Sequence, residues 1–304
     1  MRIRGTCLLA LGLLLAQAAL RAQDNAYTIK VREPAKGEVV LVERTEEVNS
    51  QNKVVDGNGK ALQDQINKGV ISATYRETIL EQEGKKRPTK LRRDYEKAQL
   101  KTDGKTVDQA FHGKSVLIEK QKTGKYAFTL DGGKALTGAD AESLEKEFNG
   151  DGGDDKFDLE KHLLPKNAVK LNDTWKIDME AMAKDFASNT KVEVDLAKAA
   201  GTGKLKKVYE KDGRQFGELH FVVELPLKSL PGAPGMKLAL QAGSKATIDV
   251  TLDVCIDGAS VAGTLKGNMK MDILASLPLP DGTTAKLTGA TQFNNSVTKK
   301  EAKK

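Results

Sequence analysis

The side chains best suited to acid–base work or zinc ligation are three histidines, His112, His162 and His220. Their spacing does not support zinc ligation. No two fall at i,i+4 or as His-x-His, which would set two imidazoles beside one metal. Their contexts read as a loop, a helix and a strand. A second candidate is the acidic, glycine-rich stretch 149–155. Asn149, Asp151 and Glu160 occupy positions one, three and twelve of an EF-hand loop. The pattern fails between them: Gly153 stands where a ligand oxygen belongs, and Asp154 where the sharp turn needs glycine. Gly113-Lys114-Ser115 has the end of a phosphate-binding loop without its start, because Asp108 holds the place of the leading glycine. The segment after Lys114 reads as a strand, whereas a phosphate cradle needs a helix N-terminus. No Gly-x-Ser-x-Gly elbow is present for acyl transfer. One Trp and five Tyr leave little aromatic surface on which a sugar would stack. The sequence therefore predicts no catalytic residues, no metal and no cofactor.

The strongest functional pattern is apolar. In the C-terminal third, Ile248, Val250, Leu252, Val254 and Ile256 alternate with Thr247, Asp249, Thr251, Asp253 and Cys255. That is a half-buried strand, and Asp257-Gly258 after it is a hairpin signal. The next strand places Val261, Gly263, Leu265, Gly267, Met269, Met271 and Ile273 on one face. A third carries Ala285, Leu287, Gly289, Thr291, Phe293 and Val297. Glycines on an apolar face let a sheet bend and leave volume above it, and methionine tolerates varied contacts. Leu265, Met269, Met271 and Phe293 are accordingly the candidate binding residues, for an apolar or lipid-like ligand on a concave sheet.

The elements that must position them are mostly strands. Segments 204–210 and 215–227 flank Asp212-Gly213 as a hairpin, with Leu219, Phe221, Val223, Leu225 and Leu227 on one face. In the N-terminal half, strands are expected at 27–32, 38–48, 70–82, 89–101, 115–120 and 126–130. Asp56-Gly57-Asn58-Gly59, Asp103-Gly104 and Asp131-Gly132-Gly133 mark the turns. Between the halves, Asp140 and Asp178 are helix caps, and 156–164 reads as a helix ended by Pro165. The expected fold is α+β, mainly antiparallel β, with long-stranded curved meanders of half-barrel type in two lobes of similar style and a few short helices between them. The boundaries are a signal peptide at 1–22, a β lobe at 23–136, a helical connection at 137–190, a second β lobe at 191–298 and a basic tail at 299–304.

The compartment is read from the first residues. Arg2 and Arg4 precede an apolar run from Cys7 to Ala19; Ala16-Gln17-Ala18 fits the cleavage pattern, and the looser Leu20-Arg21-Ala22 is preferred because the chain turns polar at Gln23-Asp24-Asn25. That is the form of a secretory signal peptide, and the run falls short of the roughly 20 residues of a spanning helix. No later stretch approaches that length, so no transmembrane segment is expected in the mature chain. Cys255 is then the single cysteine, with no internal disulfide, and reads as a small residue tucked into a sheet. The net charge of +7 falls to +4 without Arg2, Arg4 and Arg21. The one basic cluster is the tail, and no basic face with interleaved aromatics invites nucleic acid.

Leu163-Leu164-Pro165, followed by Val169-Lys170-Leu171-Asn172-Asp173-Thr174-Trp175, resembles a motif of uncharacterised exported bacterial β proteins, in which a Leu-Pro turn precedes a Val-x-x-Gly-Asp-Thr-Trp strand. Asn172 replaces the glycine, and asparagine is the residue that most readily joins glycine at positive φ. The resemblance implies a tight turn that places Trp175 in the core, and it carries no activity. The long-stranded meander also looks like the LolA-like lipoprotein-carrier half-barrels of the envelope. The leading expectation is a non-catalytic exported binding protein, periplasmic or extracellular, whose partner is an apolar ligand or an envelope protein. A structural or assembly factor is the second reading, and a hydrolase the third.

Overall fold

A computed structural model describes residues 25–84, 87–150, 162–190, 192–231, 237–279 and 283–302. The expected signal peptide, Asp151 and Glu160 of the calcium pattern, and most of the helix expected at 156–164 lie outside those residues. The chain opens with β1 (Ala26–Tyr27), β2 (Val39–Val55), β3 (Ala61–Glu81) and β4 (Lys90–Thr102). β5 (Lys105–Asp108), β6 (Ser115–Lys120), β7 (Tyr126–Leu130) and β8 (Ala135–Leu136) come next. Helix α1 (Glu142–Phe148), β9 (Val169–Lys170), β10 (Thr174–Lys176) and helix α2 (Met179–Thr190) occupy the middle. The C-terminal part holds β11 (Glu193–Val194), β12 (Ala200–Lys211), β13 (Arg214–Pro231), β14 (Lys237–Ala239), β15 (Lys245–Cys255), β16 (Gly263–Pro278) and β17 (Thr284–Glu301).

One open, curved, antiparallel sheet runs β10-β12-β13-β15-β16-β17-β2-β3-β4-β6-β7-β8, with β11 and β14 on β13 and β5 on β4. The β17–β2 ladder, from Lys286 opposite Val55 to Glu301 opposite Val40, makes the two halves of the chain a single sheet. β1 and β9 form a separate pair.

Turn chemistry explains the connections. Asp103-Gly104 (φ +51° and +79°) and Asp212-Gly213 (φ +52° and +69°) each join consecutive strands in two residues. Positive φ at both central positions matches the right-handed twist of the flanking strands. Asp257-Gly258 departs from this expectation. β15 and β16 pair up to Val254 opposite Gly263, so the link spans 256–262 and is no two-residue hairpin. Burial is the reason: Ile256 and Val261 are 0% and 8% exposed, and they draw the link inward. The Asp257 carboxylate holds it, accepting from the Gln215 and Ala259 amides at 2.8 Å each and from the Cys255 thiol at 2.9 Å. Cys255 is buried in the sheet, and burial raises its thiol pKa.

Several expected strands differ in length. β2 and β3 run past the expected 38–48 and 70–82, into segments with no buried residue on either face. Those extensions lack a core and are held by ladder pairs such as Asn49 with Lys68 and Gln292 with Asn49. A wet strand has no alternation for the sequence to display. The expected strand 27–32 shortens to β1, because Ile29 turns its side chain into a core and Lys30 donates its amide to the Ile256 carbonyl at 2.8 Å.

Both cores lie on one face of the sheet, at opposite ends. The first packs Leu205, Leu219, Phe221, Val223, Leu225 and Leu252 under Ile29, Leu163, Leu164 and Met182. The second packs Val40, Val42, Tyr75, Leu91, Tyr95 and Ile118 under Leu144 and Phe148 of α1. Asp178 caps α2 as expected, accepting from the Ala181 amide at 3.4 Å. Asp140 does not cap α1: it belongs to the short 3-10 turn Gly138–Asp140, and α1 starts behind Ala141. Asn172 adopts φ +68°, and its amide donates to the Leu205 carbonyl at 2.7 Å. The Trp175 indole donates to the Leu163 carbonyl at 2.7 Å and meets Phe221 edge-on.

Candidate binding face and cleft

Between the two cores the same face carries an apolar row set by strand register. Ile248 lies opposite Met269, Met269 opposite Phe293, and Phe293 opposite Val48. All four are half-buried. Among the four residues proposed from sequence, Leu265 and Met271 pack against the first core, whereas Met269 and Phe293 belong to neither. The volume expected above the glycines exists at one of them. A Cβ at Gly267 would meet nothing closer than Val250 Cγ2 at 3.7 Å. At Gly263 it would lie 2.9 Å from the Asp253 carbonyl oxygen, and at Gly289 2.9 Å from Asn52 Oδ1. These two glycines are close approaches between neighbouring strands and leave no groove.

From Phe293, the face of β17 continues through Asn295, Val297 and Lys299 into a cleft of about 250 Å³ beside α1. Its apolar wall is Val42, Tyr75, Ile79, Leu91, Phe148 and Val297. Its charged wall holds Arg44, Arg87, Arg93 and Lys299 with Glu33, Glu77 and Glu147.

Glu147, on the last turn of α1, is the hub. It takes Arg93 Nη2 at 2.7 Å on one oxygen and Arg44 Nη1 at 3.0 Å on the other. The Arg93 side chain is 6% exposed; its Nε donates to Glu77 at 2.8 Å, and its guanidinium lies 4.5 Å over the Tyr75 ring and 4.9 Å over Phe148. Arg87 caps α1, donating to the Glu147 carbonyl at 2.7 Å and the Phe148 carbonyl at 3.3 Å, where the last-turn carbonyls favour a cation. Burial alone would raise the Glu147 carboxyl, but Arg93, Arg44 and Arg87 outweigh it and hold it at about 2. Burial lowers Arg87. Removing one partner would leave a buried charge uncompensated, so such a network is costly to break.

Two polar atoms in this cleft are buried without a hydrogen bond: Arg44 Nε, a donor, and Asn295 Oδ1, an acceptor. Each such atom costs about 1–3 kcal/mol in a folded protein unless something satisfies it. Val297 is opposite Arg44 in register, so Asn295 and Lys299 flank Arg44 diagonally. Among the described residues Lys299 makes no ion pair. The sequence offered no sign of this cluster, since Arg44 and Glu147 stand 103 positions apart.

The other face of the sheet is mostly polar. A shallow groove of about 440 Å³ crosses Thr45, Glu47, Asp249, Thr251, Asn268 and Asn294. Asn268 donates to Asn294 at 2.5 Å, and His220 pairs with Asp249 at 3.0 Å. The histidines keep separate company, for His112 lies beside Asp108 at 3.4 Å and His162 is buried near the first core's Leu163. Among the described residues no group of three or more His, Cys, Asp or Glu is placed to hold a metal. Asn149 spends its amide on the Tyr126 backbone, at 2.7 Å and 2.8 Å, and Ser115 donates to Asp94 at 2.6 Å. Among the described residues no helix is long and apolar enough to cross a membrane.

No family model and no curated protein matches the chain. The solved structures that overlap it include an outer membrane channel from Pseudomonas putida F1 (8% identity, 89% of this chain and 98% of that one, TM-score 0.19). A deletion mutant of the monoaromatic hydrocarbon channel TodX overlaps at 9% identity, 88% of this chain, 91% of that one and TM-score 0.19. The attachment invasion locus protein Ail of Yersinia pestis does so at 6% identity, 88% of this chain, 100% of that one and TM-score 0.14. At these TM-scores the overlaps carry no argument about fold or function.

Proposed function

We propose that this chain is an exported, non-catalytic binding protein that holds an apolar or lipid-like ligand on the face between its two cores. The signal-peptide pattern supports export. The observation that carries the binding role is the Met269–Phe293 pair, half-buried on the face that holds both cores and yet part of neither. An apolar body laid along Ile248, Met269, Phe293 and Val48 gains roughly 25 cal/mol per Å² of apolar surface that it covers. Methionine adapts to such a body without a fixed shape. The uncharged fluorophore N-phenyl-1-naphthylamine tests the reading. Saturable fluorescence enhancement that Met269→Asp removes is expected, and unchanged enhancement in that variant contradicts the role of this row.

An assembly role has one observation in its favour. β4 pairs with β3 from Gly69 onward, so the edge of β3 over 61–68 has no neighbouring strand among the described residues. Leu62 and Ile66 on it are 50% and 61% exposed. A free edge of this kind templates pairing with another chain. A monomer by analytical ultracentrifugation at high concentration would remove this reading, and a dimer broken by Ile66→Lys would support it.

A further inference from the structure

Resting on the ligand-binding reading, we infer that the cleft beside α1 is the polar end of the site, and that the ligand is an anionic amphiphile whose head group sits between Lys299, Arg44 and Asn295. Three features of the cleft converge on this. Arg44 Nε is a buried donor with no acceptor. Lys299 lines the same cleft and has no ion pair among the described residues. The remaining cationic groups are engaged: Arg93 with Glu77 and Glu147, Arg87 with the end of α1, and the Arg44 terminal nitrogens with Glu147 and Glu46. Glu33, at the same cleft, is itself engaged. The cleft therefore leaves one unpaired positive charge, one N–H donor and one amide oxygen without a partner.

A carboxylate or a phosphate monoester fits that set. One oxygen accepts from Arg44 Nε–H and another from the Lys299 ammonium. Asn295 presents its amide to the same group, donating through Nδ2 if the side chain is turned over, since the two ends of an amide are assigned from their partners. The apolar body then runs along β17. Phe293, Asn295, Val297 and Lys299 share one face, and six residues of strand span about 20 Å. The polar head and the Met269–Phe293 row are thus two ends of one continuous surface, with Val297 and the space above Gly267 between them.

Isothermal titration of the purified protein with dodecanoate, dodecyl phosphate, dodecanol and inorganic phosphate tests the inference. Dodecanoate or dodecyl phosphate is expected to bind more tightly than dodecanol, and whichever of the two binds better identifies the head group. Lys299→Met should weaken the preferred anion by about tenfold, as loss of a charge-assisted hydrogen bond does, and leave dodecanol unchanged. Met269→Ser, which adds no charge, should weaken all three chains alike. Equal binding of anion and alcohol, or an anion affinity untouched by Lys299→Met in a variant of unchanged thermal stability, overturns the head-group site and leaves the apolar row standing. Inorganic phosphate binding as well as dodecyl phosphate overturns the amphiphile. Failure of all chains to bind removes the underlying reading with it.

Discussion

Phe293 faces Met269 directly across the β16–β17 pair, and neither side chain joins the cores to either side. Leu265 and Met271, their neighbours on β16, do pack against the first core. The division separates side chains that hold the fold from side chains free to meet something else.

Stability should respect that division. Phe221 is 1% exposed in the first core, and Phe221→Ala should cost about 3–5 kcal/mol. Met269→Ala should cost about 1 kcal/mol, the low end for removing a half-buried side chain. Urea unfolding of the two variants gives both numbers.

Glu147 is the point at which α1 is fastened to the sheet. Glu147→Gln leaves Arg93 and Arg44 without their shared carboxylate and should destabilise by about 3 kcal/mol, as breaking a buried ion pair does. The shift in urea midpoint measures it. Substituting a residue on the wet extension of β3, such as Gln65→Thr, should change stability by less than about 0.5 kcal/mol.

The same carboxylate sets an acid limit. Its folded pKa of about 2 lies below the ordinary 4.5, so the stability it contributes is complete above about 4.5 and is lost as pH falls through about 2. Asp257, held at about 2 first by the Cys255 thiol and then by the Gln215 and Ala259 amides, acts in the same direction. Melting temperatures measured from pH 5 to pH 2 should fall steeply in the native chain and less steeply in Glu147→Gln.

The turn before Trp175 depends on Asn172 at φ +68°. Asn172→Ala should lose about 1–2 kcal/mol, the cost of a Cβ in the left-handed region without a local hydrogen-bonding side chain, and Asn172→Gly should lose less. Thermal unfolding monitored through Trp175 fluorescence reads both. Gly203 is coupled to the same ring: the Trp175 indole lies where a Cβ at 203 would stand, so Gly203→Ala should displace the indole and change that fluorescence.

Much of this architecture is legible in residue order. Leu219, Phe221, Val223, Leu225 and Leu227 share a buried face, as alternation demands, and Asp103-Gly104 and Asp212-Gly213 turn as their φ preferences dictate. Local physics stops being informative in three places. Asp257-Gly258 reads as a tight hairpin because the dipeptide says nothing of Ile256 and Val261, whose burial stretches the link. The unburied ends of β2 and β3 carry no period that marks a core face, since both faces are wet and only the ladder holds them. The Arg44–Glu147 pair joins a strand to a helix 103 positions away, and nothing in either neighbourhood marks it. For the proposed site, the sequence singled out Met269 and Phe293 on the face between the cores, grouped with them Leu265 and Met271, which pack against the first core, and was silent on Arg44, Asn295 and Lys299.

An apolar ligand held on the face between the cores should travel with the protein through purification. Native mass spectrometry of the protein purified from a bacterial periplasm, beside denaturing mass spectrometry of the same sample, tests it most directly. The expected result is an added mass that disappears on denaturation, extracts into organic solvent, and is missing from Met269→Asp. A native mass equal to the bare chain, in a sample that also fails to take up dodecanoate or dodecanol when supplied, would contradict it.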